Sequence, residues 1–485
     1  MTYQPQQATD PEGPTGRLCH WLSELATDSV PADVRERAKH LLLDGVACAI
    51  VGAQLPWSRT AAQIVRTVEG EGTRTVIGWD FTTSTPGAAL LNGTFIQGFE
   101  LDDFHPRAPL HSASLVLPAL LACAEHLSGG SGGMSGGMSG SVSGERFVLG
   151  AVAGFEVGPR VGLGLHGIEM LSRGWHSGAV FGTHAAAAAT GVLLGLDGAR
   201  FEDALGLAGT QSAGLMAAQY EAMCKRMHHG FSARNGLYSA LLAAGGYTGI
   251  KRVFERPYGG FLSTFGEGHA PDASQVCLDL GRRWETRHIV FKAYAAMGGL
   301  HNPLDALADL QAQRRFSAEE VERIDVEMSH ATYHHGWWVP ERPLTPIGAQ
   351  MNVGYALAVA VIDGEALVQQ FSPARIDRDD VWDLIPRITA HHQPDFDAPD
   401  QKFRVRLTVL LRDGTRLHTE RGAPRGLERL MSNEDIVAKY RHLTNGLLPA
   451  GRQAAIERAV LGLDRLPDVR ELGTLLGGAV AASFE

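Results

Sequence analysis

The stretch A-A-L-L-N-G-T-F-I-Q-G-F-E-L-D-D-F-H-P-R-A-P-L-H-S-A-S-L-V-L-P-A-L-L-A-C-A-E-H-L, Ala88 to Leu127, sets a polar loop between two apolar, helix-like runs. Between Phe99 and Ser114 it crowds three acids, Glu100, Asp102 and Asp103, with two histidines, His105 and His111. Pro106 and Pro109 keep the middle out of helix, because each lacks an N–H and restricts the residue before it. Charges placed between buried helices need partners or water. Two readings stay open on these residues alone: a helix-capping turn with surface acids, or a loop that carries chemistry.

Outward from this stretch the N-terminal text is helical. After Pro31, the positions Val34, Ala38, Leu41, Leu42, Gly45 and Cys48 recur at helical spacing, and Trp57–Val68 is a further amphipathic helix. From Arg146 to about Gly249 alanine runs and the glycines Gly182, Gly191 and Gly195 predict closely packed helices. The composition changes after about Trp284. Arg323–Ser329 reads as a strand and Arg404–Arg421 as a hairpin, with Val405, Leu407, Val409 and Leu411 alternating and Asp413-Gly414 at the turn. Ala349–Gly364 between them reads as one helix. Ser432 and Asp435 form a capping box that opens a final helical segment. The expected fold is mainly α with a smaller α+β part: helical domain 1–284, inserted α+β domain 285–426, and the rest of the helical domain 427–485.

A chain of 485 residues is too long for one ordinary core, and 44% hydrophobic with 20% charged residues fits a globular protein. The net charge of -10 gives no general attraction to nucleic acid or to an anionic membrane surface. An anionic substrate would therefore need positive charge concentrated at its site. Cys19, Cys48, Cys123, Cys224 and Cys277 are scattered and odd in number, with no C-x-x-C, so neither a disulfide framework nor a zinc or iron–sulfur site is expected. The polar N-terminus carries no targeting pattern, and glycine, proline or charge interrupts the apolar runs short of a membrane span. A cytoplasmic, reducing setting follows as an expectation. The Gly/Ser-rich segment 128–144 is expected to be a flexible surface loop.

Four further clusters carry reactive side chains. His176 stands in G-W-H-S-G, where a helix-start histidine is the plainer reading. Lys225, Arg226, His228, His229 and Arg234 gather beside Met223, Met227 and Phe231, which favours partial burial over a solvated basic face. Lys292 lies in an apolar segment with His301 nearby, as a snorkelling lysine or an anion ligand. Tyr355 sits on the Ala349–Gly364 segment, where a core tyrosine is the usual case. The pairs His334-His335 and His391-His392 lack ligand spacing, and no metal is expected. No P-loop occurs, G-L-G-L-H-G from Gly162 has no βαβ context, and G-x-S-x-G falls only in the Gly/Ser segment, so no nucleotide cofactor is expected.

Together, E-L-D-D-F-H-P-R-A-P-L-H-S-A-S, G-W-H-S-G, K-R-M-H-H-G-F-S-A-R-N-G and F-K-A-Y resemble the MmgE/PrpD family. The segments A-A-Q-Y, R-P-Y-G-G-F-L and G-W-W-V-P-E-R-P are most similar to its fungal-type cis-aconitate decarboxylase branch. The resemblance implies a homodimer whose α+β part is a lid, with a site between the domains for a small tricarboxylate. It implies cofactor-independent decarboxylation of cis-aconitate to itaconate, with 2-methylcitrate dehydration in the same family or a non-catalytic binding role as alternatives. By position it implies His111, His176, Lys225 and Tyr355 as catalytic residues and Glu100 and Lys292 as substrate-binding ones, while the same clusters offer Asp102, His228 and Arg226 as further substrate-binding candidates. Glu100, Phe104 and Met297 depart from the vertebrate-type pattern, which has aspartate, threonine and histidine there.

Overall fold

The computed structural model describes residues 6–129, 140–220, 222–398, 400–428 and 431–484. The expected Gly/Ser loop lies for the most part, at 130–139, outside the described residues. The principal helices of the body are α1 (Ala32–Ala53), α2 (Thr85–Ile96), α3 (Ala113–Ser128), α4 (Gly144–Gly164), α5 (Gly182–Leu194) and α6 (His228–Ala244). The α+β part carries α7 (His301–Gln313), α8 (His330–Gly336) and α9 (Val353–Asp363), and α10 (Asn433–Thr444) follows it. Its strands are β1 (Val321–Met328), β2 (Ile388–His392), β3 (Val405–Leu411) and β4 (Arg416–Arg421).

The helical body is a series of close pairs: α4 on α5, α5 on α6, α6 on α2, and α2 on α3. Small residues set these distances. A Cβ added to Gly230 of α6 would lie 2.2 Å from the Leu90 carbonyl oxygen of α2, and one added to Gly93 would lie 2.9 Å from Gly230 Cα. The backbones of α2 and α6 thus touch, and the segments that follow α2 and precede α6 are forced together. That contact positions the site. α10 and the helix Ala450–Leu461 return to pack on α1, so both chain ends build the body. Ser432 and Asp435 form the expected capping box at the start of α10.

The sheet runs β2-β1-β3-β4, with β1 and β2 parallel and the other pairs antiparallel. Its alternation is that of a one-sided sheet: Val405, Leu407, Val409 and Leu411 are buried, as are Val321, Ile324, Val326 and Met328. α7 packs on β3 and β4, and α9 on β2. The β3–β4 hairpin turns at Gly414, whose φ of 83° suits glycine.

Three expectations change. The Ala349–Gly364 segment is two helices, because Asn352 leaves helical geometry and its side chain caps the N–H of Tyr355. β2 was not expected; Ile388 and Ala390 alternate with polar neighbours over too short a run to mark a strand. And α4 is long and apolar enough to cross a membrane by length and composition. Its most apolar window is 94% buried inside the protein, however, where Arg160 pairs with Glu156 at 3.3 Å.

Gly230→Ala should destabilise the protein by about 1–3 kcal/mol, the range for overpacking, because the nearest atom is fixed backbone. Gly451→Ala, at an exposed position of the helix Ala450–Leu461 with nothing within 4 Å of the added Cβ, is the control and should be neutral or stabilising. Denaturant melts of the two variants give the comparison; equal stability would contradict the contact.

Candidate active site

The Phe99–Ser114 loop is fixed at both ends and in the middle. Asp103 accepts the Ser112 and Ala113 N–H groups at 2.8 and 2.9 Å and so caps α3. Phe104 and Val290 exchange N–H···O bonds of 2.9 Å, which ties the loop to the segment that carries Lys292. His105 is buried: its Nδ1 accepts from the Ala108 N–H at 3.0 Å, so Nε2–H donates to Glu285 at 3.1 Å. Burial lowers the pKa of His105, consistent with this neutral form. The capping and catalytic readings are therefore not exclusive, since Asp103 and His105 hold a loop that presents His111.

Glu100 is the centre of the site. It follows α2 through the turn Gln97–Phe99 and adopts left-handed backbone, φ 52° and ψ 33°, which is uncommon for a non-glycine residue. Its carboxylate bonds Lys225, Arg226 at 3.0 Å and Lys292 at 2.8 Å. Lys225 and Arg226 lie on the turn Met223–Met227 that leads into α6. Burial opposes the Glu100 charge, but Lys225, Lys292 and Arg226 together hold its carboxyl well below the usual range. Burial likewise lowers Lys225, with Glu100 acting against it. Three cations against one carboxylate leave a local positive excess in an otherwise acidic chain.

A cavity of about 200 Å³ opens between the body and the α+β part. Glu100, His111, His176, Lys225 and Lys292 line it, as do Phe104 and Met297. His111 Nδ1–H donates to Asp102 at 3.0 Å, which leaves Nε2 as the nitrogen free to act. Behind Asp102, Lys439 of α10 bonds the Leu101 carbonyl and Asp44, so the C-terminal helix braces the pair.

Four predicted site residues do not line the cavity. Tyr355 is fully buried, with its hydroxyl on the Gln370 carbonyl and its ring against Phe371, and is a core tyrosine. Asp102 is fully buried behind His111 and orients it. Arg226 reaches Glu100 and the Gln350 side chain at 2.7 Å, bracing the carboxylate from behind. His228 packs on the His176 ring at 4.3 Å between centroids. Glu100 itself lines the cavity but, as an anion already bound to three cations, holds the lysines in place instead of binding a carboxylate.

The structure adds three residues. His229 is fully buried between His111 and His176, with ring centroids at 5.3 and 5.4 Å, and bonds Ser114 Oγ at 2.6 Å. Its place beside His228 in the sequence was visible, but not which of the two faces inward. His335 on α8 and Lys402 before β3 line the cavity from the α+β part; neither stands in a motif. Among the described residues no three His, Cys, Asp or Glu side chains converge as metal ligands.

A helical body, an α+β part over it, and a cavity between them lined by histidines and lysines define a two-part protein with one candidate site at the junction. The chain belongs to the MmgE/PrpD family: its residues 16–273 match the MmgE/PrpD N-terminal domain and 294–465 the C-terminal domain. It is 46% identical to the cis-aconitate decarboxylase-like protein oryM of Aspergillus oryzae, over 96% of this chain and 98% of that one. It is 42% identical to the cis-aconitate decarboxylase of Aspergillus terreus over 98% of both, and 26% identical to that of Homo sapiens over 92% and 90%.

The buried histidines make stability depend on pH. Burial lowers His176 and His229 well below the ordinary 6.5, with neighbouring charges adding to it, and burial and then Lys225 push His228 down to about 4. Between pH 6.5 and 4 the unfolded chain then binds protons at these positions that the folded chain does not, so stability falls as pH falls. The denaturation midpoint should drop between pH 7.5 and 5, and drop less in His228→Asn; parallel declines in the two proteins would contradict this.

Proposed function

We propose that the protein decarboxylates cis-aconitate to itaconate and CO2 without a cofactor. The observation that carries this reading is His111, oriented by Asp102 on the wall of a cavity that also holds Lys225 and Lys292. The names of the Aspergillus relatives support the substrate. The two lysines supply charge-assisted hydrogen bonds to carboxylates.

In the reaction the bond between the CH2 carbon and its carboxylate breaks and CO2 leaves. That electron pair forms the new terminal double bond, and the former alkene pair moves onto the former vinylic carbon. The charge spreads into the adjacent carboxylate as a dienolate-like state, which a nearby ammonium group stabilises. His111 Nε2–H delivers a proton to the former vinylic carbon, giving itaconate, and regains one from solvent. The substrate's own alkene is the electron sink. Phe104 and Met297 give the cavity apolar walls, which favour dispersing carboxylate charge into neutral CO2.

His176 and His229 are neutral at working pH because of their burial, and with His228 they form the wall behind His111. They set its position and limit water; His111 is the proton donor.

The purified protein incubated with cis-aconitate should give the vinylidene proton signals of itaconate by NMR. His111→Ala should lower kcat by about 10²- to 10⁴-fold, the usual worth of a general acid, with an unchanged melt. An active His111→Ala enzyme would contradict its role. Dehydration of methylcitrate-type acids without any itaconate would replace the decarboxylase reading by the dehydratase one.

A further inference from the structure

Two cations of the body that line the cavity, Lys225 and Lys292, already share an anionic partner in Glu100. Lys402 differs. It lines the same cavity from the α+β part, and among the described residues it has no ion pair. Its Nζ donates to the Pro106 carbonyl at 3.1 Å and lies 4.7 Å from the Phe403 ring centroid. An ammonium has three N–H donors, so two are left.

The backbone that carries it is held on three sides. Ser329 Oγ and Thr332 Oγ1 donate to the Lys402 carbonyl at 2.6 and 2.9 Å, and Asn302 Nδ2 donates to the Phe403 carbonyl at 2.6 Å. Thr332 also lines the cavity. A surface lysine needs no such support. Fixing the backbone of a flexible side chain lowers the entropy lost when its head binds a ligand.

We propose that Lys402 binds a carboxylate of the substrate, so that the anion is clamped between the lysines of the body and one lysine of the α+β part. This rests on the reading of the cavity as a polycarboxylate site. Pro106 belongs to the loop that ends in His111, so the same ammonium joins the α+β part to the loop that presents the proton donor. A substrate with several carboxylates engages both sides at once, whereas a single carboxylate cannot.

Burial pushes Lys402 down to about 8, with Glu169 acting against it. The other titratable groups that line the cavity are Glu100, His111, His176, Lys225, Lys292 and His335, and Arg107 is exposed beside Pro106. Only the protonated amine binds an anion, so affinity falls as pH rises through about 8.

The test is calorimetric binding of propane-1,2,3-tricarboxylate, a non-reacting tricarboxylate, to the full-length protein between pH 6.5 and 9. Wild type should bind and lose affinity above pH 8. Lys402→Met should bind roughly 10- to 100-fold more weakly, the worth of a charge-assisted hydrogen bond, and lack that loss above pH 8. Lys402→Arg, which keeps the charge, should bind within a few-fold of wild type. With cis-aconitate, Lys402→Met should raise KM by the same factor and change kcat less. Unchanged binding in Lys402→Met would overturn the proposal, as would Lys402→Arg binding as weakly as Lys402→Met. If wild type binds the tricarboxylate in this pattern but releases no CO2 from cis-aconitate, the decarboxylase reading fails and the role of Lys402 stands.

Discussion

A single buried carboxylate, Glu100, requires three cations, and the site is what results from supplying them. A buried ionised acid without partners would be very costly, and so would each buried lysine. Lys225 and Arg226 come from the turn that leads into α6, and Lys292 from the entry to the α+β part. The glycine contact between α2 and α6 makes the meeting of the first three groups geometrically obligatory. Three separate stretches of sequence thus converge, because the two that carry cations meet on the one that carries the buried carboxylate.

The arrangement leaves positive charge over, which is what a polycarboxylate needs, and it leaves that charge preorganised. Lysines on flexible stems lose rotamer freedom when they bind a ligand; here Glu100 has already fixed two of them. Beside them the Asp102–His111 pair, braced by Lys439 and Asp44, sets a histidine nitrogen toward the same space.

Much of this was legible in the sequence. Apolar periodicity identified the helices around the loop, and alternation at Val405–Leu411 with Asp413-Gly414 identified the hairpin. The clusters at 225–229 and at 292 showed themselves as charges among apolar residues, a pattern that also fits a solvated face or a snorkelling lysine until the fold shows their burial on Glu100. What the sequence lacked was direction. Asp102 and Arg226 carry the same chemical types as true cavity residues, and only the fold shows that they stand behind His111 and Glu100. Tyr355 followed from the family pattern alone, and here its hydroxyl is used by the Gln370 carbonyl. Lys402 stands in no cluster, and His335 was visible only in a histidine pair without ligand spacing; the α+β part brings both to the cavity through the third dimension.

In the proposed reaction one oriented histidine protonates the former vinylic carbon from one side. Turnover of cis-aconitate in D2O, with NMR analysis of the product, tests it directly. One deuterium should appear in the saturated methylene of itaconate, in a single prochiral position, and none in the vinylidene group. Deuterium spread equally over both methylene positions, or found on the vinylidene carbon, would contradict it.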